Sequence, residues 1–225
     1  MAILFDLDGT LLDTSQDFHI AMNRVLLAEN KPTADYATIR RNISFGSKMI
    51  IAGALNLDIK NIEHQKYIDE LLPRFIAEYA QTNFSRTVAF NGIDDLLFAL
   101  ETANLTWGIV TNKRQALTEP LLLATGYFKR SACIVCGDTT ARAKPAPDPL
   151  LHACKMLNVD PKDCIFIGDS INDITAGKAA GMRTIAAAFG FIPEDVKISD
   201  WQADAIVNSP DEILPWIRKW VDLAI

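Results

Sequence analysis

Histidine, cysteine and long apolar runs are scarce in this chain of 225 residues, and each scarcity removes a class of function. Its three histidines, His19, His64 and His152, lie outside every motif, which leaves no constellation for a phosphohistidine or histidine-triad mechanism. The four cysteines, Cys133, Cys136, Cys154 and Cys164, are too few for a disulfide framework at this length. Cys133 and Cys136 fall three apart in a predicted strand, on opposite faces, and no second cysteine pair completes four zinc ligands, so buried core thiols are expected. No stretch approaches the roughly eighteen apolar residues of a spanning helix. Asp6 and Asp8 interrupt the N-terminal run before a signal-peptide core forms, and the expected location is cytoplasmic. An excess of positive charge is also absent: 22 Lys and Arg against 28 Asp and Glu give a net charge of −6, unfavourable for general binding to nucleic acid or an anionic membrane. No Gly-x-Gly-x-x-Gly follows the first predicted strand, which removes the usual dinucleotide signature.

What is present is the composition of a folded globular protein, 49% hydrophobic and 22% charged, long enough for one large domain or for one domain with a smaller insert. Short apolar runs at 2–6, 107–111, 133–136, 165–168, 183–187 and 205–207 alternate with helical patterns, as in parallel strands joined by helical crossovers. Most are apolar on consecutive positions, the pattern of strands covered on both faces. Between Thr14 and Arg86 that rhythm stops and amphipathic stretches take over, such as Gln16 to Glu29 and Ile62 to Tyr79. The fold class is therefore α/β, with a core over 1–13 and 87–225 and a helical insert over 14–86. At the far end, Ser209-Pro210-Asp211-Glu212 reads as a helix start, with Pro215 deep enough to delay or kink it, and Trp216 and Trp220, four apart, are expected to cover the sheet edge or a partner surface, with core packing the favoured role.

Chemistry concentrates where predicted strands end. Phe5-Asp6-Leu7-Asp8-Gly9-Thr10 brings two carboxylates, two residues apart, to the C-terminal edge of the sheet, where open α/β sheets bind ligands. Two like charges there repel unless a cation or a shared proton relieves them. Phe166-Ile167-Gly168-Asp169-Ser170-Ile171-Asn172-Asp173 repeats the pattern at the start of a helix. Capping explains one of these acids but hardly all four, and two clusters of carboxylates suggest a hard cation such as Mg²⁺. Thr111 and Asn112 end another strand with a hydroxyl and an amide suited to phosphate oxygens, and Lys144 stands in a proline-stiffened segment, Lys144-Pro145-Ala146-Pro147.

Taken together and in order, Asp6-x-Asp8-Gly9-Thr10, Thr111, Lys144 and Gly168-Asp169-x-x-x-Asp173 resemble the four motifs of the haloacid dehalogenase superfamily. The resemblance is to its phosphoglycolate-phosphatase-like branch with a helical cap. It runs nearly end to end, since Ala176-Gly177-x-Ala179-Ala180-Gly181 and Phe189-Gly190-Phe191 also look like that branch. It implies a Rossmann-like core whose cap is inserted after the first strand. Asp6 would be the nucleophile that forms an aspartyl phosphate, and Asp8 would act first as acid and then as base. Gly9, Thr10, Thr111, Asn112 and Lys144 would surround the phosphate, with Lys144 offsetting its charge. Mg²⁺ would be held by Asp6, the backbone oxygen of Asp8 and Asp169, with Asp173 as an outer or orienting ligand. The cap would select the leaving group through Gly46, Ser47 and Lys48, with Arg40 and Arg41 near an anionic substrate.

The presence of Asp8 favours phosphate esters over halides, because a halide leaves without a proton. The resemblance implies a small-molecule phosphate ester as partner, 2-phosphoglycolate first, and a monomer or homodimer. Alternatives are β-phosphoglucomutase-type transfer, pyrophosphatase or nucleotidase activity, or a phosphate-sensing module that has lost turnover.

Overall fold

A computed structural model describes residues 1–82 and 84–221. The chain begins with Ala2–Phe5 (β1), reaches Leu12–Asp13 (β2), and passes through four helices, Ser15–Ala28 (α1), Tyr36–Arg40 (α2), Ser47–Leu55 (α3) and Ile62–Gln81 (α4). It returns through Val88–Ala89 (β3) and then alternates: Ile93–Thr102 (α5), Thr106–Val110 (β4), Gln115–Thr125 (α6), Ile134–Val135 (β5), Asp148–Leu157 (α7), Cys164–Gly168 (β6), Ile171–Ala179 (α8), Arg183–Ala187 (β7), Ala205–Val207 (β8) and Ile213–Val221 (α9). Two compact units result, Met1–Leu12 with Ala89–Ile225, and Asp13–Val88.

In the first unit six strands form one parallel sheet in the order β5-β4-β1-β6-β7-β8. Every residue of β1 and β6 is buried, which is why both read as unbroken apolar runs. Phe5 is level with Ile109 on one side and Ile167 on the other. Asp6, Thr111 and Asp169 therefore leave three adjacent strands at nearly the same height. Because β1 lies between β4 and β6, strand order runs outward from it in both directions, and the carboxyl ends flanking such a switch diverge to leave a crevice.

The helical unit packs α1 on α4 around stacked rings: Phe18 lies on Tyr79 at 4.1 Å and 7°, with Phe75 and Phe84 against them. Ile50 and Ile51 of α3 are buried. The fully buried carboxylate of Asp17 accepts from the Arg86 amide and, at 2.7 Å, from the Thr87 hydroxyl, tying the returning segment to α1.

Several boundaries differ from the sequence reading. β2 and β3 have two residues each, too short for periodicity to reveal. The strand expected at 133–136 shrinks to its two central residues, although Cys133 and Cys136 are buried as expected and all four thiols are free. Pro215 does delay the last helix: a 3₁₀ turn at Pro210–Glu212 precedes α9. Trp216 and Trp220, however, are only half-buried, packed on each other at 5.4 Å beneath Lys219 and Arg183, while Ile213 and Ile217 take the core positions. Indole rings at the rim keep an apolar face covered and meet cations on the other. No helix among the described residues is long and apolar enough to cross a membrane.

Candidate active site

The site grows from the end of β1. Asp6 donates its amide to the Ile167 carbonyl at 2.8 Å, the last tie to the sheet before the chain turns. Its carboxylate accepts from Lys144 Nζ at 2.8 Å. The same ammonium reaches Asp173 Oδ1 at 2.7 Å and the Val110 carbonyl at 2.8 Å, so its three donors are all engaged. Lys144 is 4% exposed and lies over the Phe166 ring. Burial pushes the Asp6 carboxyl up to about 7 even though Lys144 pulls it down, with Asp173 and Asp8 adding repulsion. Burial also works against the Lys144 charge, but Asp173 and Asp6 outweigh it and hold the ammonium above its ordinary value.

Lys144 is held in place by a residue far away in sequence. Asn112 Nδ2 donates to the Lys144 carbonyl at 2.8 Å, and the Lys144 amide donates back to Asn112 Oδ1 at 3.0 Å. The Asn112 side chain thus fixes the lysine backbone. Thr111 is 2% exposed and its hydroxyl oxygen accepts from the Lys113 amide.

The β6 end supplies the second pair of acids. Asp169 Oδ2 accepts from the Phe191 amide at 2.8 Å, and Oδ1 faces the Thr10 hydroxyl at 3.5 Å. Asp173 closes a capping box at the start of α8, its Oδ2 accepting from the Ser170 amide and hydroxyl while Oδ1 faces Lys144. Capping and chemistry are thus served by the same carboxylate. Close approach explains two glycines. Gly9 has φ +87°, and a Cβ there would lie 2.0 Å from Asp169 Oδ2; a Cβ on Gly190 would lie 2.3 Å from Asp169 Cβ.

Asp6, Asp169 and Asp173 offer carboxylate oxygens all within 4.8 Å of one another. Asp8 turns elsewhere, its two oxygens 2.8 and 3.0 Å from Lys113 Nζ. The site therefore gathers four carboxylates and two ammonium groups, a formal excess of negative charge suited to a divalent cation.

Not every expected residue is set for phosphate. The Gly9 amide is used by the Leu12 carbonyl, and the fully buried Thr10 hydroxyl supports Asp169. Gly46, Ser47 and Lys48 belong to the helical unit. There Gly46 (φ +91°) joins a 3₁₀ turn to α3, and Lys48 pairs with Asp69 at 2.6 Å on the surface; Arg41 donates to the Thr38 hydroxyl. The sequence reading missed Lys113 as the partner of Asp8 and Asn112 as the support of Lys144. Only their place beside Thr111 hinted at either.

The family model for haloacid dehalogenase-like hydrolases matches residues 3–187. This chain belongs to that family. An N-acetylmuramic acid 6-phosphate phosphatase from Pseudomonas putida is 39% identical over 225 residues, covering 100% of this chain and 97% of the relative. A phosphoglycolate phosphatase from Xylella fastidiosa is 39% identical over 209 residues, covering 92% and 89%. Among solved structures, a predicted phosphoglycolate phosphatase from Haemophilus somnus superposes with TM-score 0.82 at 26% identity, covering 96% of this chain and 97% of that one. This haloacid dehalogenase-like hydrolase is thus an enzyme, a phosphatase acting on a phosphate ester.

Proposed function

We propose that the chain hydrolyses a small phosphate monoester through a phosphoenzyme formed on Asp6. The observation that carries this is the buried Asp6 carboxylate at a sheet edge, held by Lys144 and flanked by Asp169, Asp173 and Asp8. In the first half-reaction an Asp6 oxygen bonds to phosphorus as the bond to the leaving oxygen breaks, and that oxygen takes a proton from Asp8. In the second, Asp8 takes a proton from water, the water oxygen bonds to phosphorus, and the bond to Asp6 breaks. Lys144 offsets the charge gathered on the phosphoryl oxygens, and Thr111 is the candidate hydroxyl for those oxygens.

The donor set fits Mg²⁺: all oxygen, carboxylate-rich and buried. Asp6, Asp169 and the Asp8 backbone oxygen would hold it. Asp173, its Oδ2 taken by Ser170 and its Oδ1 within 2.7 Å of Lys144, would orient from outside. Bound there, Mg²⁺ would neutralise charge on the phosphate. The helical unit would choose the leaving group, with Arg40, Arg41 and Lys48 as its candidate contacts. For substrate, 2-phosphoglycolate and N-acetylmuramic acid 6-phosphate are the leading compounds, since relatives named for each are equally identical to this chain. Both carry a carboxylate besides the phosphate.

Phosphate release from these two esters, sugar phosphates, nucleotides and pyrophosphate, with and without Mg²⁺ and with Asp6→Asn as blank, tests the reading. Metal-dependent release from one compound, abolished in the variant, is expected. Release that survives in a folded Asp6→Asn protein would sink the nucleophile assignment.

A further inference from the structure

Lys113 has no part in the roles given so far, yet it is as firmly built into the site as Lys144. Its side chain is 5% exposed, and its Nζ donates to both oxygens of Asp8, whose side chain is 15% exposed. The backbone beneath it is pinned: the Lys113 amide donates to Thr111 Oγ1 at 3.1 Å, and its carbonyl accepts from the Gly137 amide at 2.9 Å and from Thr118 Oγ1 at 3.3 Å. A lysine stem has much rotamer freedom to lose, and here burial and anchoring have already removed it. Lys144 cannot do this work for Asp8, because its three donors are engaged elsewhere.

We infer that Lys113 is the positioning residue of the acid–base carboxylate, fixing the plane of Asp8 so that one oxygen faces the leaving group. This rests on the reading of Asp8 as the proton donor. When Asp8 passes its proton to the leaving oxygen, the electron pair of the broken P–O bond stays on that oxygen. Asp8 becomes a carboxylate able to accept from Lys113 through both oxygens, the arrangement seen here. While protonated, Asp8 keeps a carbonyl oxygen for Lys113 and points its O–H at the substrate. The lysine thus supports the carboxyl group in both states without touching phosphorus.

A poor leaving group needs the proton and a good one does not, so the two can be told apart by comparing phenyl phosphate with 4-nitrophenyl phosphate. Lys113→Met is expected to lower kcat on phenyl phosphate by roughly tenfold more than on the nitrophenyl ester, with KM changed similarly for both. Lys113→Arg should restore most of that ratio. In an Asp8→Asn background Lys113→Met should cost nothing further, since it acts through Asp8. Lys113→Gln serves as the second neutral variant if the methionine protein does not fold. Equal losses on both esters, or full additivity in the double variant, would overturn the inference while leaving the acid–base reading intact. If Asp8→Asn itself reduces both esters equally, that reading fails and the inference falls with it.

Discussion

The sheet-edge site of one unit and the basic residues of the other use charge in opposite ways. At the edge of the parallel sheet Asp6, Lys144, Asp169 and Asp173 are all buried, and each meets a fixed partner. In the helical unit most basic residues sit on the surface, as Lys48 does, 52% exposed beside a similarly exposed Asp69. A buried pair is costly to break because its surviving member cannot return to water. A surface pair is screened and worth little. The difference separates charges whose positions are fixed by burial from charges that are free to rearrange at the surface.

The largest expected effect comes from breaking the buried side. Lys144→Met leaves Asp6 and Asp173 without their shared ammonium and should lower stability at neutral pH, without added metal, by about 3–5 kcal/mol in denaturant unfolding. Phosphate release should fall by roughly 10²–10⁴-fold. A loss below about 1 kcal/mol would mean that this pair behaves like a surface one.

Next comes pH. The Asp6 carboxyl rises from an ordinary 3.8 to about 7, so the folded protein binds that proton more tightly than the unfolded chain does. Its contribution to stability is full below about 3.8 and is lost as pH rises through about 7. Asparagine does not titrate. The stability of metal-free Asp6→Asn relative to wild type should therefore improve by a few kcal/mol between about pH 4 and about pH 8. Thermal melts across that range measure it, and a flat difference would contradict the burial argument.

The smallest effect belongs to the helical unit. Lys48→Ala should change stability by less than about 0.5 kcal/mol. A loss of about 2 kcal/mol in the same denaturant measurement would erase the contrast between the units.

The acids were legible because a buried strand must be apolar on every residue. The first charge after such a run, Asp6 or Asp169, marks the place where the chain leaves the sheet. Most of the sheet and the helical insert followed from the same rule and from helical periodicity. Trp216 and Trp220 misled for the opposite reason: helical spacing places them on one face, but spacing cannot tell whether that face meets the core or its rim. The partner of Asp8 is 105 residues away, and the support of Lys144 is 32 residues away. No local pattern links either pair.

By itself the sequence determined the parallel α/β core, the helical interruption and the two strand ends at which the carboxylates would gather, because burial and periodicity act locally. Only the tertiary structure decided which cation meets which acid, that Gly9 and Gly190 make room for Asp169, and that Asn112 holds Lys144 rather than facing outward. Those are contacts between side chains brought together by strand order, and strand order is fixed by the packing of the whole sheet.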